Sequence, residues 1–219
     1  MYSSSSVTFS NINGRTKMQT TEIKNTKKIE RKYQDGKMIE ETHSTVNPFE
    51  IDNFKQKKED IKIGIGVVRR CEDDKKIGKI ELYETSDNKL RVSVDVKDNF
   101  IENGEHGFHL HKCGDEVNNN KKCLSMCAHY SRNKDDVHGG LDSLKKRHNG
   151  DLGNIQSKEG IIDTSIEMNF NQLSPHECFG RSFIIHSGRD DLGLGGNKES
   201  LKTGNAGSRY AYSIIGRLI

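Results

Sequence analysis

Three stretches of the chain alternate apolar with polar or small residues: Ile61, Ile63, Ile65 and Val67; Leu90, Val92, Val94 and Val96; and Ile162, Thr164, Ile166 and Met168. Successive side chains of an extended strand point to opposite faces, so a period of two predicts strands with one face buried. Gly-, Asn- and Asp-rich segments separate these runs, and nothing shows a sustained helical period. The pattern predicts an all-β domain over residues 59–219, a flattened sandwich or barrel of antiparallel strands. Two stretches, residues 112–160 and 187–208, carry little alternation. Long ordered loops in a compact domain usually carry function.

Residues 1–58 are rich in Ser, Thr, Asn and Lys and read as a polar extension without a core, disordered by composition. The competing reading is a hairpin turning at Asp35-Gly36, a type I′ signal, which would have to dock elsewhere through Phe49, Ile51 and Phe54. Net charge is +3 and evenly spread, so no basic arm for nucleic acid or an anionic membrane is expected. The first twenty residues lack the apolar core of a secretory leader, and no apolar run approaches the ~18 residues of a membrane span. A cytoplasmic location is the expectation. Five cysteines at irregular spacing do not resemble a secreted disulfide scaffold.

Most of the nine histidines fall in or beside the two long loops. Gly107-Phe-His-Leu-His111 reads as a strand that presents His109 and His111 on one face and Phe108 and Leu110 on the other. His129, His138, His148 and Asp151 lie along the first loop, and three imidazoles with a carboxylate make a four-coordinate zinc set. His186 ends the apolar run Phe183-Ile184-Ile185. An all-imidazole set also suits copper, so spacing alone gives a metal site of undecided nuclearity. His106 reads as structural; His43 and His176 read as exposed.

Four segments in colinear order, Gly107–His111, His148–Asn154, Asp190–Asn197 and Lys202–Arg209, resemble the signature segments of the eukaryotic-type copper/zinc superoxide dismutases. The resemblance runs from about Ile61 to Ile219. It implies a Greek-key β-barrel and disproportionation of superoxide to oxygen and hydrogen peroxide, with one copper and one zinc ion per subunit. By the same likeness His109, His111, His129 and His186 would bind copper, and His129, His138, His148 and Asp151 would bind zinc. His129 would then be shared between the metals and would pass a proton. Asp190 would link a copper-binding to a zinc-binding histidine, and Arg209 would orient the superoxide anion. Lys202, Thr203, Glu199 and Lys198 would line the substrate funnel. A homodimer and a copper-delivery protein are the implied partners, and heavy Lys, Asn and Ile usage suits the AT-rich genome of a large DNA virus.

The chain departs from that pattern in places. Lys198 replaces an acidic residue. Gly114, Gly180, Ile214 and Ile215 match the family's dimer contact, yet Arg69, Lys79 and Arg217 stand at its apolar positions. Tyr212 stands where the family has the C-terminal cysteine that bridges to the equivalent of Cys123. Cys123 is then either a free thiol with Tyr212 packed against the loop, or bridged elsewhere, with Cys71 and Cys113 the nearest candidates. Two other function classes fit part of the set: a non-enzymatic copper-binding homologue and a zinc-only interaction module. The presence of all seven metal-binding residues together with Arg209 favours the enzyme.

Overall fold

The computed structural model describes residues 3–12, 15–24, 27–45, 60–117, 122–143 and 147–218. The chain divides into two units, Met1–Lys58 and Glu59–Ile219. In the first, strands β1 (Ser3–Ile12), β2 (Arg15–Lys24), β3 (Lys27–Gln34) and β4 (Lys37–Thr45) form an antiparallel meander in sequence order. Asp35 and Gly36 make the β3–β4 turn with φ of 49° and 78°, the left-handed conformation a type I′ turn requires. Arg31 and Glu41 face each other across these strands, as do Lys32 and Glu40, and both pairs form ion pairs. β4 is exposed along its whole length, and backbone ladders and exposed charge pairs join it to β3. The segment with Phe49, Ile51 and Phe54 lies outside the described residues.

The second unit is a Greek-key barrel of antiparallel strands. Its elements are β5 (Ile61–Arg70), β6 (Lys76–Glu84), β7 (Lys89–Lys97), β8 (Gly104–His111), β9 (Asp151–Ser157), β10 (Ile161–Asn169), β11 (Ser182–His186), β12 (Arg209–Ile214) and the short β13 (Gly216–Arg217). Hydrogen bonding runs β10-β7-β6-β5-β12-β11-β8-β9, with β13 also on β5. β9 and β10 lie side by side and nearly close the ring. Leu90, Val92, Val94 and Val96 of β7 are fully buried, as the alternation predicts. Ile162 and Met168 of β10 join them, and Phe108 of β8 stacks on Phe183 of β11 with ring centroids 5.2 Å apart. Among the described residues no helix is long and apolar enough to cross a membrane.

Two expectations need correction. β5 is a strand, but only part of its apolar run meets the core: Ile63 packs against it half-buried, Ile61, Ile65 and Val67 are exposed, and Gly64, Gly66 and Val68 are buried. The end of β12 passes so closely that a Cβ on Gly66 would stand 2.5 Å from the Ile214 carbonyl, so only glycine can face inward there. Residues 112–160 are also not all loop, since β9 occupies Asp151–Ser157 as the partner of β8. Almost every β9 residue is buried, which erases the alternation that would have revealed it.

Cys123 is not a free thiol. It bridges to Cys71 across 5.6 Å between Cα atoms. Tyr212 pairs with Arg69 on β5, and the Cys71 N–H donates to the Tyr210 carbonyl. The anchor of the long loop has therefore moved one strand over, from β12 to the end of β5. Tyr212 packs against Cys123 and Met126 while its hydroxyl donates to Asp74 at 2.8 Å. A second bridge, Cys113–Cys127, pins the loop to the end of β8. Cys178 stays a thiol, and burial pushes its pKa up.

Candidate metal centre

β8 supplies the floor of the site. Phe108 and Leu110 point into the barrel, and His109 and His111 occupy the opposite face, where the long loops cover them to 0% and 1% exposure. The Tyr130 N–H donates to the Leu110 carbonyl, the Leu110 N–H to the Gly150 carbonyl and the Gly150 N–H to the Tyr130 carbonyl. These bonds lay both arms of the loop along β8 and bring His129, His148 and Asp151 beside its two histidines. His186 arrives from β11 at a register shift that re-aims the last residue of the strand. Its partner across that ladder is Arg209, so the topology alone sets this guanidinium beside the histidines.

Two four-residue groups result, His109, His111, His129 and His186, and His129, His138, His148 and Asp151, the donor atoms of each lying within 4.8 Å of one another. His129 belongs to both, its ring 4.1 Å from His109 and 5.6 Å from His148. The remaining ring nitrogens show what each histidine is oriented to do. His109 Nε2–H donates to Asp190 Oδ2 at 2.8 Å, and His138 Nε2–H donates to Asp190 Oδ1 at 2.8 Å. His111 Nδ1–H donates to the Cys127 carbonyl at 2.9 Å, and His186 Nδ1–H to the Gly207 carbonyl at 3.3 Å. All four partners only accept, so the nitrogen facing each carries the hydrogen and a neutral ring presents its lone pair on the other. Three of those other atoms, His109 Nδ1, His111 Nε2 and His186 Nε2, are buried with no hydrogen-bond partner, while His138 Nδ1 faces Asp151 Oδ1 at 3.1 Å. Buried polar atoms left without partners are costly, and three converging lone pairs fit a metal ion.

The electrostatics agree. Burial and neighbouring rings hold His109 and His111 well below the usual histidine range and lower His186 to about 4, so these rings are neutral donors. Burial also lowers His138, but the Asp151 and Asp190 carboxylates outweigh it and raise the group to about 9, so a metal at Nδ1 displaces a proton. Asp151 is the reverse case: burial alone would raise it, yet His129, His138 and His148 hold it far below the carboxylate range. A group of three imidazoles and one carboxylate is a zinc set, and a group of four imidazoles suits copper. Asp190 groups with His109 and His138, but its oxygens already accept hydrogen bonds from both rings and from the Leu192 N–H. Its oxygens are thus engaged in holding the two rings in place. A Cβ on Gly204 would stand 1.9 Å from Asp190 Oδ1, so a left-handed glycine lets this carboxylate in.

A cavity of about 540 Å³ opens over the four-histidine group, and Arg209, Lys202, Thr203 and Glu199 line it. Lys198 is exposed and does not line it. Lys112 and Lys134 do, two cations that pattern reading passed over. Arg209 donates through Nη1 to the Cys123 carbonyl and through Nη2 to the Cys127 carbonyl, which fixes its plane at the mouth. Glu177 was also missed. It accepts from Arg132 at 2.5 Å and Tyr130 at 2.7 Å and so ties the residues after His129 to the Pro175–Glu177 turn. Its signal was present as Ser174-Pro-His-Glu177, a capping box. The other histidines stay apart. His106 sets its two ring nitrogens against the His186 and Glu102 carbonyls, His43 pairs with Glu41, and His176 is exposed.

Residues 76–215 match the copper/zinc superoxide dismutase (SODC) family. The chain is 41% identical over 145 residues to the Cu-Zn superoxide dismutase of Paramecium bursaria Chlorella virus 1, covering 64% of this chain and 72% of that one. It is 42% identical over 136 residues to the extracellular Cu-Zn superoxide dismutase of Drosophila melanogaster, covering 61% and 72%. Against the Cu-Zn superoxide dismutase of Cryptococcus neoformans it is 39% identical over 136 residues, covering 61% and 84%.

Proposed function

The chain belongs to the copper/zinc superoxide dismutase family, and from that premise we propose that its two buried ligand groups act as one dismutase centre. The net reaction joins two superoxide anions and two protons into oxygen and hydrogen peroxide. His109, His111, His186 and His129 would hold copper, and His138, His148, Asp151 and His129 zinc. Copper supplies reversible one-electron chemistry and zinc supplies fixed charge. The observation that carries this reading is the shared position of His129, flanked by buried lone pairs and facing a cavity with an arginine at its mouth.

The chain's own groups do the rest. Lys202, Lys112 and Lys134 draw a small anion toward the mouth, where Arg209 meets it with a guanidinium whose orientation two carbonyls hold. Glu199 accepts from the Thr203 hydroxyl at 2.9 Å, which keeps its carboxylate engaged at the rim. His129 is placed to pass a proton toward the cavity. Chain loaded with both ions should contain one copper and one zinc and show a nitrogen-ligated Cu(II) EPR spectrum with dismutase activity. Loaded protein without copper, or with oxygen ligation, would refute the assignment.

A homodimer is proposed as well, supported by the outward-facing Ile65 and Val67 on the barrel wall and checked by sedimentation. Copper delivery by a partner protein rests on the burial of His109 and His111, and full loading from free copper salt would dispense with it. For location we propose the cytoplasm, that of the host for a virally encoded chain. Thiol trapping in cell lysates tests it: both bridges must persist there, and their full reduction in active protein from that compartment would point elsewhere.

A further inference from the structure

Among the described residues Cys127 combines three features. Its φ is 65°, in the left-handed region that side chains with a Cβ seldom occupy. Its carbonyl accepts two hydrogen bonds at once, from His111 Nδ1–H at 2.9 Å and from the Arg209 guanidinium. Its sulfur is bonded to Cys113, and the two Cα atoms are 5.5 Å apart. Cys113 is itself anchored, because Ser182, fully buried on β11, donates its hydroxyl to the Cys113 carbonyl at 2.7 Å.

The loop anchor, Cys71–Cys123, already fastens this segment to the barrel. The second bridge spans only 14 residues and repeats that fastening at the end of β8, which backbone bonds also secure through the Lys112 N–H to Ala128 carbonyl contact. Closing a span of that length stabilises the chain, but stability does not explain why the bridge stands at this place. Geometry is a better account. A cysteine free of its bridge would relax out of the left-handed conformation, and the Cys127 carbonyl would turn away from both donors. His111 would lose the bond that fixes which nitrogen carries its hydrogen, and Arg209 would lose one of its two supports.

We infer that the Cys113–Cys127 bridge positions the site: it holds Cys127 in a left-handed conformation so that one carbonyl aligns His111 and Arg209 together. The inference rests on the dismutase reading for what that alignment serves, but not for its geometry. The test uses the full chain carrying Cys113→Ser, alone and combined with Cys127→Gly, since glycine adopts the left-handed conformation without a bridge. The first readout is the His111 ring N–H signal in ¹H–¹⁵N spectra of zinc-loaded protein, which exchanges slowly while the carbonyl holds it. The second is azide affinity of protein loaded with copper and zinc. Cys113→Ser should lose the slow signal and weaken azide roughly three- to tenfold, the scale of one ordinary hydrogen bond. The double variant should recover both. If Cys113→Ser keeps both, the bridge positions nothing. If the double variant recovers neither, the effect does not pass through the Cys127 backbone. Should Cys113→Ser fail to fold, folding of the double variant supports the inference and its failure overturns it. Wild-type chain that takes up no copper defeats the dismutase reading and leaves the ring N–H comparison standing.

Discussion

The two ligand groups share a histidine but are built differently. In the four-histidine group, three members sit on or at the end of barrel strands, and their ladders fix where each ring starts. In the His129, His138, His148 and Asp151 group, the three histidines come from the loop, and only Asp151 opens a strand. Strand-borne ligands are held by the core whether or not a metal is bound. Loop-borne ligands depend on the fastenings of the loop: the Cys71–Cys123 bridge, Asp190 and Glu177. The difference teaches that the geometry of the four-histidine group rests mainly on the fold, whereas that of the other group rests on the loop and the groups that clamp it.

The severest test removes the member common to both. His129→Ala should abolish detectable zinc and copper stoichiometry together and lower dismutase activity more than a hundredfold, measured by metal analysis beside an activity assay. Loss of one metal alone would mean that the groups are independent. Opening the loop's covalent anchor comes next. Cys71→Ser frees a span of 52 residues, worth about 4 kcal/mol in the chain-entropy model. The melting temperature should fall steeply and zinc should dissociate faster, while the strand-borne copper ligands keep their EPR parameters.

Asp190→Asn spares the volume but removes the charge shared by His109 and His138. Metal affinity should fall about 10- to 100-fold, the range for a carboxylate that orients metal-binding histidines. Because Asp190 touches one ring of each group, an effect confined to copper would break the proposed contrast. A smaller effect is expected of Glu177→Gln, about 1–2 kcal/mol at neutral pH, from a charged hydrogen-bond network that is partly exposed. Burial would raise this carboxylate, but Arg132 and the Ser174 N–H hold it at about 2, below its unfolded range. Its contribution is therefore complete above the unfolded carboxylate range and disappears as pH falls through about 2. Melting curves of the variant and the wild type should converge across that interval. Least of all, Lys112→Gln with Lys134→Gln should lower kcat/KM about two- to threefold at low salt and not at all at high salt, as steering by exposed charge requires.

Much of this architecture was legible because it obeys local rules. The alternation in β7 and β10 marks their buried faces, and the Phe108–Leu110 and His109–His111 pairs had to part company on a strand. What stayed hidden depends on partners far along the chain. β5 shows Ile65 and Val67 outward because the close approach of the end of β12 demands glycine on the inner face at Gly66, which no local window contains. β9 is buried on both faces and carries no period. The cysteine pairing turned on which strand lies beside β12, so the sequence could name Cys71 and Cys113 as candidates without choosing. Cys113–Cys127 passed unforeseen, since a short covalent span looks unhelpful until the backbone conformation of Cys127 is seen.

The displaced anchor also bears on how the chain matures. A bridge to the position of Tyr212 would have to wait until the last strand of the barrel had been synthesised. Both bridges here are complete by Cys127, with more than a third of the chain still to be translated. Chemically, an oxidant could close the covalent frame around β5–β8 on a nascent chain, and release from the ribosome would leave only the noncovalent strands to add. In this protein neither bridge draws a cysteine from the last strand, so covalent closure and the addition of β12 are separate events.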